Sequence, residues 1–321
     1  MANQNNKSRF EQLREQYRAT LKSQDTEEHI DLAFYRPIGF AWALLAKKLH
    51  VTPNAITIAS IFLGIGAGIC FYYPELWINV IGMLLLVWAN SFDSADGQLA
   101  RMTKQYSRIG RILDGVSGDI WFATIYVAIC LREIVTSPFF IAHHWVIWVM
   151  AVTAGICHAK QAAMADCYRQ IHLFFLKGAE GSELEDSDDL RRRNESLSWS
   201  KDFFKMLTSK FYLNYTLQQE ATTPALQAMR RELRKRFGAS ENIPQSFRDA
   251  FRRKSLPLMK YTNILSFNWR CIALFVSLFV AMPWLYFAFE LVVLNILLIY
   301  MVVRHESICR TFTKELKDGK Y

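Results

Sequence analysis

Four aspartates, Asp93, Asp96, Asp114 and Asp119, fall within the stretch "DSADGQLARMTKQYSRIGRILDGVSGDIWF", which interrupts two otherwise apolar segments. Ionisable side chains at membrane depth are costly and mark functional sites. On a helix, positions three, four, seven and eight apart share a face. Counted from Asp93, those positions are Asp96, Gly97, Ala100 and Arg101, so one stripe carries two carboxylates, two small residues and a guanidinium. Gly110 and Asp114 share a face of the next helix in the same way. Carboxylates gathered from adjacent helices repel one another unless a cation sits among them. An all-oxygen donor set selects a hard divalent ion, Mg2+ or Mn2+. Phosphate and water usually complete the shell of such ions, which points to phosphoryl chemistry. Gly97, Ala100 and Gly110 would let a bulky ligand approach the backbone, and Arg101 would face its phosphates.

The elements that must position these residues are apolar helices. The 321-residue chain is 52% hydrophobic, yet its mean hydropathy is only +0.07. Long apolar runs therefore alternate with polar ones. Ala55 to Tyr73 has no charged residue, and Cys271 to Val303 has one, Glu290. Runs of about 20 apolar residues are long enough to cross a bilayer. The pattern predicts an all-α polytopic membrane protein with six spans near Ala55–Tyr73, Leu76–Arg101, Ile109–Leu131, Phe140–Lys160, Asn263–Met282 and Trp284–Val303. Pro37 to Asn54 has apolar residues at helical spacing and is expected to lie along the membrane surface as an amphipathic helix. Pro53 breaks it, with Asn54 as the expected N-cap of the first span. Lys and Arg gather at the helix ends on the side of both termini, including Lys47, Lys48, Lys104, Arg108 and Arg304, which predicts that this side is cytoplasmic. No signal peptide is expected, since Met1 to Asp31 lacks an apolar segment. The six cysteines are scattered and form no metal or disulfide framework. The net charge of +9 fits basic loops beside anionic lipid and is not read as nucleic-acid binding.

Four regions follow: a polar cytoplasmic arm at 1–36, the surface helix and spans one to four with the active site at 37–177, a helical cytoplasmic insert at 178–261, and spans five and six with a cytoplasmic tail at 262–321. The insert opens acidic and turns basic, and "ALQAMRRELRKRFG" spaces Leu226, Met229, Leu233 and Phe237 along one helical face. It reads as a solvated subdomain or as a helix docked on anionic lipid or over the site. Arg111, Lys160 and Arg270 are candidate ligands for an acceptor or headgroup phosphate, with snorkelling to the interface as the other reading of Lys160 and Arg270. His158 is a candidate substitute base or a structural histidine, and Asp166 is expected to pair with a nearby cation.

The stretch resembles the CDP-alcohol phosphotransferase signature D-x2-D-G-x2-A-R-x8-G-x3-D-x3-D. Asp93, Asp96, Gly97, Ala100, Arg101, Gly110 and Asp114 match it at the required spacing, and "TPNAIT" from Thr52 to Thr57 is similar to the family's approach to its first span. The resemblance extends over Pro37 to Val303 apart from the insert. It implies a homodimeric six-helix enzyme with its site at the cytoplasmic side. Such an enzyme moves a substituted phosphate from a CDP-linked lipid donor to an alcohol and releases CMP. Asp93, Asp96 and Asp114 would hold a pair of metal ions. Asn54, Thr57, Gly97, Ala100, Arg101 and Gly110 would form the nucleotide pocket. A bacterial inner membrane is the expected location.

The family's fourth aspartate, a metal ligand and its general base, belongs at 118, where this chain has Gly118 followed by Asp119. A regular helix turns about 100° per residue, so Asp119 lies about 140° from Asp114 instead of about 40°. A π-bulge near Gly115 and Gly118 would return Asp119 to the metal group as ligand and catalytic base. Otherwise position 118 is empty and the base is another group or is dispensed with. Three further readings stay open: a headgroup phosphotransferase making a sphingolipid such as inositol phosphorylceramide, a non-catalytic relative, and a divalent cation transporter, the last unsupported by an inverted repeat.

Overall fold

Thr52 and Pro53 start the first long apolar helix. Proline suits the first helical position, where its missing N–H is not needed, and the Thr52 hydroxyl accepts the N–H of Ala55 at 3.4 Å. The cap is therefore Thr52 and not Asn54, which lies one residue inside the helix. The computed structural model of the chain describes residues 9–21, 23, 25–105, 108–178, 181–182, 184–195 and 203–321, and among them there is no strand. The helices are α1 (Arg9–Thr20), α2 (Arg36–Lys48), α3 (Pro53–Tyr72), α4 (Leu76–Thr103), α5 (Arg108–Thr136), α6 (Pro138–Ala142), α7 (His144–Lys177), α8 (Ser187–Glu195), α9 (Phe203–Thr222), α10 (Pro224–Phe237), α11 (Gln245–Ser255), α12 (Met259–Ile264), α13 (Phe267–Phe279), α14 (Trp284–Ala288) and α15 (Asn295–Lys317).

The fold is all-α and polytopic. Among the described residues, five helical runs are long and apolar enough to cross a membrane: Pro53–Tyr72, Leu76–Thr103, His144–Lys177, Gln245–Phe279 and Trp284–Lys317. The expected third span, α5, is helical over 29 residues but is outside this set; Asp114, Asp119, Arg132 and Glu133 lower its apolar character. Two expected spans run on into polar sequence. At about 1.5 Å per residue, the 34 residues of α7 extend well beyond a hydrocarbon core of about 30 Å.

The chain divides into two compact units, one of Met1–Gly155 with Arg270–Phe289, the other of Ile156–Trp269 with Glu290–Tyr321. In the first, α3 packs against both α4 and α5, and α2 lies on α4. Helices in an apolar medium gain little from hydrophobicity between them, so small residues that permit close approach matter. A Cβ on Gly64 would stand 2.0 Å from the Trp121 ring, so α3 and α5 meet at a distance only glycine allows. Gly39 of α2 does the same against Ser94 of α4, at 2.9 Å. Ala43, Ala46, Ile56, Ala95 and Leu99 form the apolar cluster behind the aspartate stripe. Arg36 locks this joint: it donates to Glu27 at 2.8 Å and to Ser94 at 3.4 Å, while its carbonyl accepts from Gln98. At the other end of α5, Arg132 is 3% exposed and donates to the Phe71 carbonyl and to Asn79. Arg132, just beyond the expected end of the third span, thus caps the α3 C-terminus.

In the second unit the segment 203–264 is helical almost throughout. Leu226, Met229 and Leu233 are buried along α10, the face their spacing predicts, while Phe237 is only partly buried. Glu306 of α15 accepts from the backbone N–H groups of Ala225 and Leu226 at 2.8 and 3.3 Å, which satisfies the start of α10. The acidic run folds onto the basic one: Asp186 pairs with Arg234 at 2.9 Å, and its carboxylate also faces Arg230.

Candidate active site

α4 continues unbroken past its aspartates to Lys104, whose φ of 55° and N–H bond to the Ala100 carbonyl end the helix. Asp93, Asp96, Gly97, Ala100 and Arg101 therefore share the face that their spacing predicts. Arg101 folds back along it, with Nη1 3.4 Å from where a Gly97 Cβ would be. Any side chain at 97 would crowd the guanidinium.

Asp93 and Asp96 of α4 meet Asp114 of α5, and one carboxylate oxygen of each lies within 4.8 Å of the others. Asp96 is buried, Asp93 half-buried and Asp114 exposed, so the group is an inner carboxylate opening to an accessible one. The donor set is oxygen only and comes from two helices, which suits a hard divalent cation. Two hydroxyls hold the α4 carboxylates from outside. Thr57 of α3 donates to Asp96 Oδ2 at 2.5 Å. Ser117 of α5, 1% exposed, lies 3.2 Å from Asp93 Oδ1 and 2.8 Å from the carbonyl of Asp114.

α5 contains no π-helical turn between Arg108 and Thr136. The expected bulge is absent, the extra residue is not absorbed, and Asp119 is not part of the three-carboxylate group. Glycine alone does not force a bulge where the i to i−4 bonds can be kept. A Cβ at Gly118 or at Gly115 would meet nothing within 4 Å, so the face where the signature has its fourth carboxylate is open space.

The remaining sequence candidates lie on several helices. Asn54 and Gly110 are half-buried on α3 and α5. Thr57, expected beside a nucleotide, engages Asp96. The Arg111 side chain lies outside the described residues. Arg270 is 1% exposed on α13. In the second unit, Lys160 donates to the Gln218 carbonyl at 3.1 Å and to the Thr222 hydroxyl, and so finishes α9. His158 binds the buried Glu290 at 3.1 Å. Asp166 accepts from the Tyr215 hydroxyl and from Gln170 in place of the expected cation. Ser117 holds no fixed position of any motif in the sequence, although it lies three residues after Asp114 and so on the same helical side.

Residues 50–175 match the family model described as CDP-alcohol phosphatidyltransferase. Among curated proteins, the chain is similar to the CDP-diacylglycerol–glycerol-3-phosphate 3-phosphatidyltransferases of Yersinia enterocolitica and Yersinia pestis, 28% identical over 93 residues. That match covers 29% of this chain and 44% of each relative, so it spans less than half the length of the curated relatives. No solved structure gives a significant match. The matched segment contains every matching position of the signature and all three clustered carboxylates, so residues 50–175 resemble a CDP-alcohol phosphatidyltransferase domain.

Proposed function

We propose that the chain is an integral-membrane phosphotransferase of phospholipid synthesis, which transfers a substituted phosphate from a CDP-linked lipid such as CDP-diacylglycerol to an alcohol and releases CMP. The observation that carries this reading is the meeting of Asp93, Asp96 and Asp114 within 4.8 Å, at the spacing of the signature. The three carboxylates would hold Mg2+ or Mn2+, in all a pair of ions on the family resemblance. When bound, these cations supply charge neutralisation to the donor's phosphates. Arg101 would carry phosphate charge beside them, and the missing side chains at Gly97 and Gly110 would leave room for the nucleotide. The acceptor hydroxyl would attack phosphorus in line and the bond to CMP would break. Of the two readings of the last interval, the regular α5 favours the one in which position 118 is empty. On that reading Asp119 lies outside the metal group, and the acceptor's proton leaves by a route other than a fourth carboxylate there. The grouping of Lys and Arg at helix ends supports placing both termini in the cytoplasm of a bacterial cell, and the resemblance supports a homodimer.

The test is CMP release from CDP-diacylglycerol by the full chain in vesicles. Glycerol 3-phosphate, the acceptor in the names of the Yersinia relatives, heads a panel of alcohols. Metal- and acceptor-dependent CMP is the expected result; no CMP with any acceptor overturns it. A second reading, transfer of inositol phosphate from a phospholipid to ceramide, is favoured only by the empty position 118. It predicts a new sphingolipid without CMP.

A further inference from the structure

The side-chain torsion of an aspartate carboxylate is broad and close to two-fold, so three facing carboxylates do not orient themselves. Their mutual repulsion favours swinging apart. In this chain, each of the two α4 carboxylates is gripped by a hydroxyl from a different neighbouring helix, Thr57 from α3 and Ser117 from α5. Each hydroxyl has a single proton and two acceptors in reach: for Thr57, Asp96 and the Pro53 carbonyl of its own helix; for Ser117, Asp93 on the facing helix and the carbonyl of Asp114 on its own. Only the second acceptor of Ser117 belongs to another member of the carboxylate group. The carbonyl is the nearer acceptor, at 2.8 Å against 3.2 Å, but a hydrogen bond to an ionised carboxylate is the stronger kind, so Asp93 when ionised would draw the proton across the α4–α5 joint.

We propose that Ser117 is the positioning residue of the carboxylate group. It fixes the rotation of Asp93 and ties that carboxylate to the turn of α5 that carries Asp114, so that the two are set for one divalent cation. The proposal rests on the metal reading given above. It concerns a residue at a variable position of the signature, immediately before the missing fourth carboxylate. Burial supports it: at 1% exposure the hydroxyl has no water competing for its proton. Partners of this outer kind typically alter metal affinity about 10- to 100-fold when removed.

The experiment is a Mn2+ titration of the detergent-solubilised full chain, with free ion followed by its electron paramagnetic resonance signal. It is run on wild type, Ser117→Ala, Ser117→Thr and Asp93→Asn. Ser117→Ala removes one oxygen and nothing else, and its melting temperature without metal is expected to match wild type. Its Mn2+ affinity should fall about 10-fold or more, and Ser117→Thr, which restores a hydroxyl, should recover most of it. Equal Mn2+ affinity in wild type and Ser117→Ala overturns the proposal and leaves the metal reading intact. Wild type that binds no more Mn2+ than Asp93→Asn overturns both.

Discussion

Gly118 stands where a carboxylate would share the face of Asp114, and the space a side chain would take there is empty. The site is therefore three-cornered by composition and not by crowding. Gly118→Asp should fold as well as wild type, since the helix interior gains from replacing glycine, and it should bind Mn2+ more tightly by adding a fourth oxygen donor. A loss of melting temperature without tighter Mn2+ binding contradicts the open face. Asp119→Ala gives the complementary result. A general base contributes about 100-fold or more, whereas a residue outside the carboxylate group should cost less than about 10-fold in CMP release. A loss of the larger size would return Asp119 to the chemistry.

At the scale of elements, much of the site could be read from the sequence because it lies on one helix. The stripe from Asp93 to Arg101 needs only the 3.6-residue period, and α4 supplies it without a break. What could not be read depends on partners far apart in sequence. Glu306 reads as an ordinary charge beyond a span, yet it caps α10 some 80 residues away. Arg132 falls just past the expected third span, and hydropathy averages carry no information about its partners, the Phe71 carbonyl and Asn79. The register of α5 was open for a similar reason, since Gly115 and Gly118 allow a bulge without requiring one. Two outcomes test this level. Glu306→Ala should cost about 1 to 2 kcal/mol and raise amide hydrogen exchange at Ala225 and Leu226 before the rest of α10. Gly64→Ala should push α3 from Trp121 and cost about 1 to 3 kcal/mol, read as a lowered melting temperature; an unchanged value would mean that the ring gives way freely.

At the scale of the molecule, the two units have separate physical roles. The first unit places the carboxylates on α4 and α5, and the second ties its acidic and basic segments together through Asp186. Burial pushes the Asp186 carboxyl up, but the N–H of Asp188 and the Arg230 and Arg234 guanidinia outweigh it and hold the group below the usual carboxylate range. A depressed folded value stabilises above the unfolded value of about 3.9, and that stability is lost as pH falls through the folded value. Wild type should therefore lose stability over Asp186→Asn as the pH drops below about 4, and parallel acid profiles for the two would contradict this pairing.

The central claim is that Asp93, Asp96 and Asp114 together serve phosphoryl transfer from a CDP-linked lipid. Its most direct measurement is CMP release from CDP-diacylglycerol by the reconstituted chain, with Asp96→Asn beside wild type. The account predicts CMP from wild type that stops when divalent metal is chelated and is abolished in Asp96→Asn. CMP release that continues in Asp96→Asn, or that ignores chelation, would contradict it.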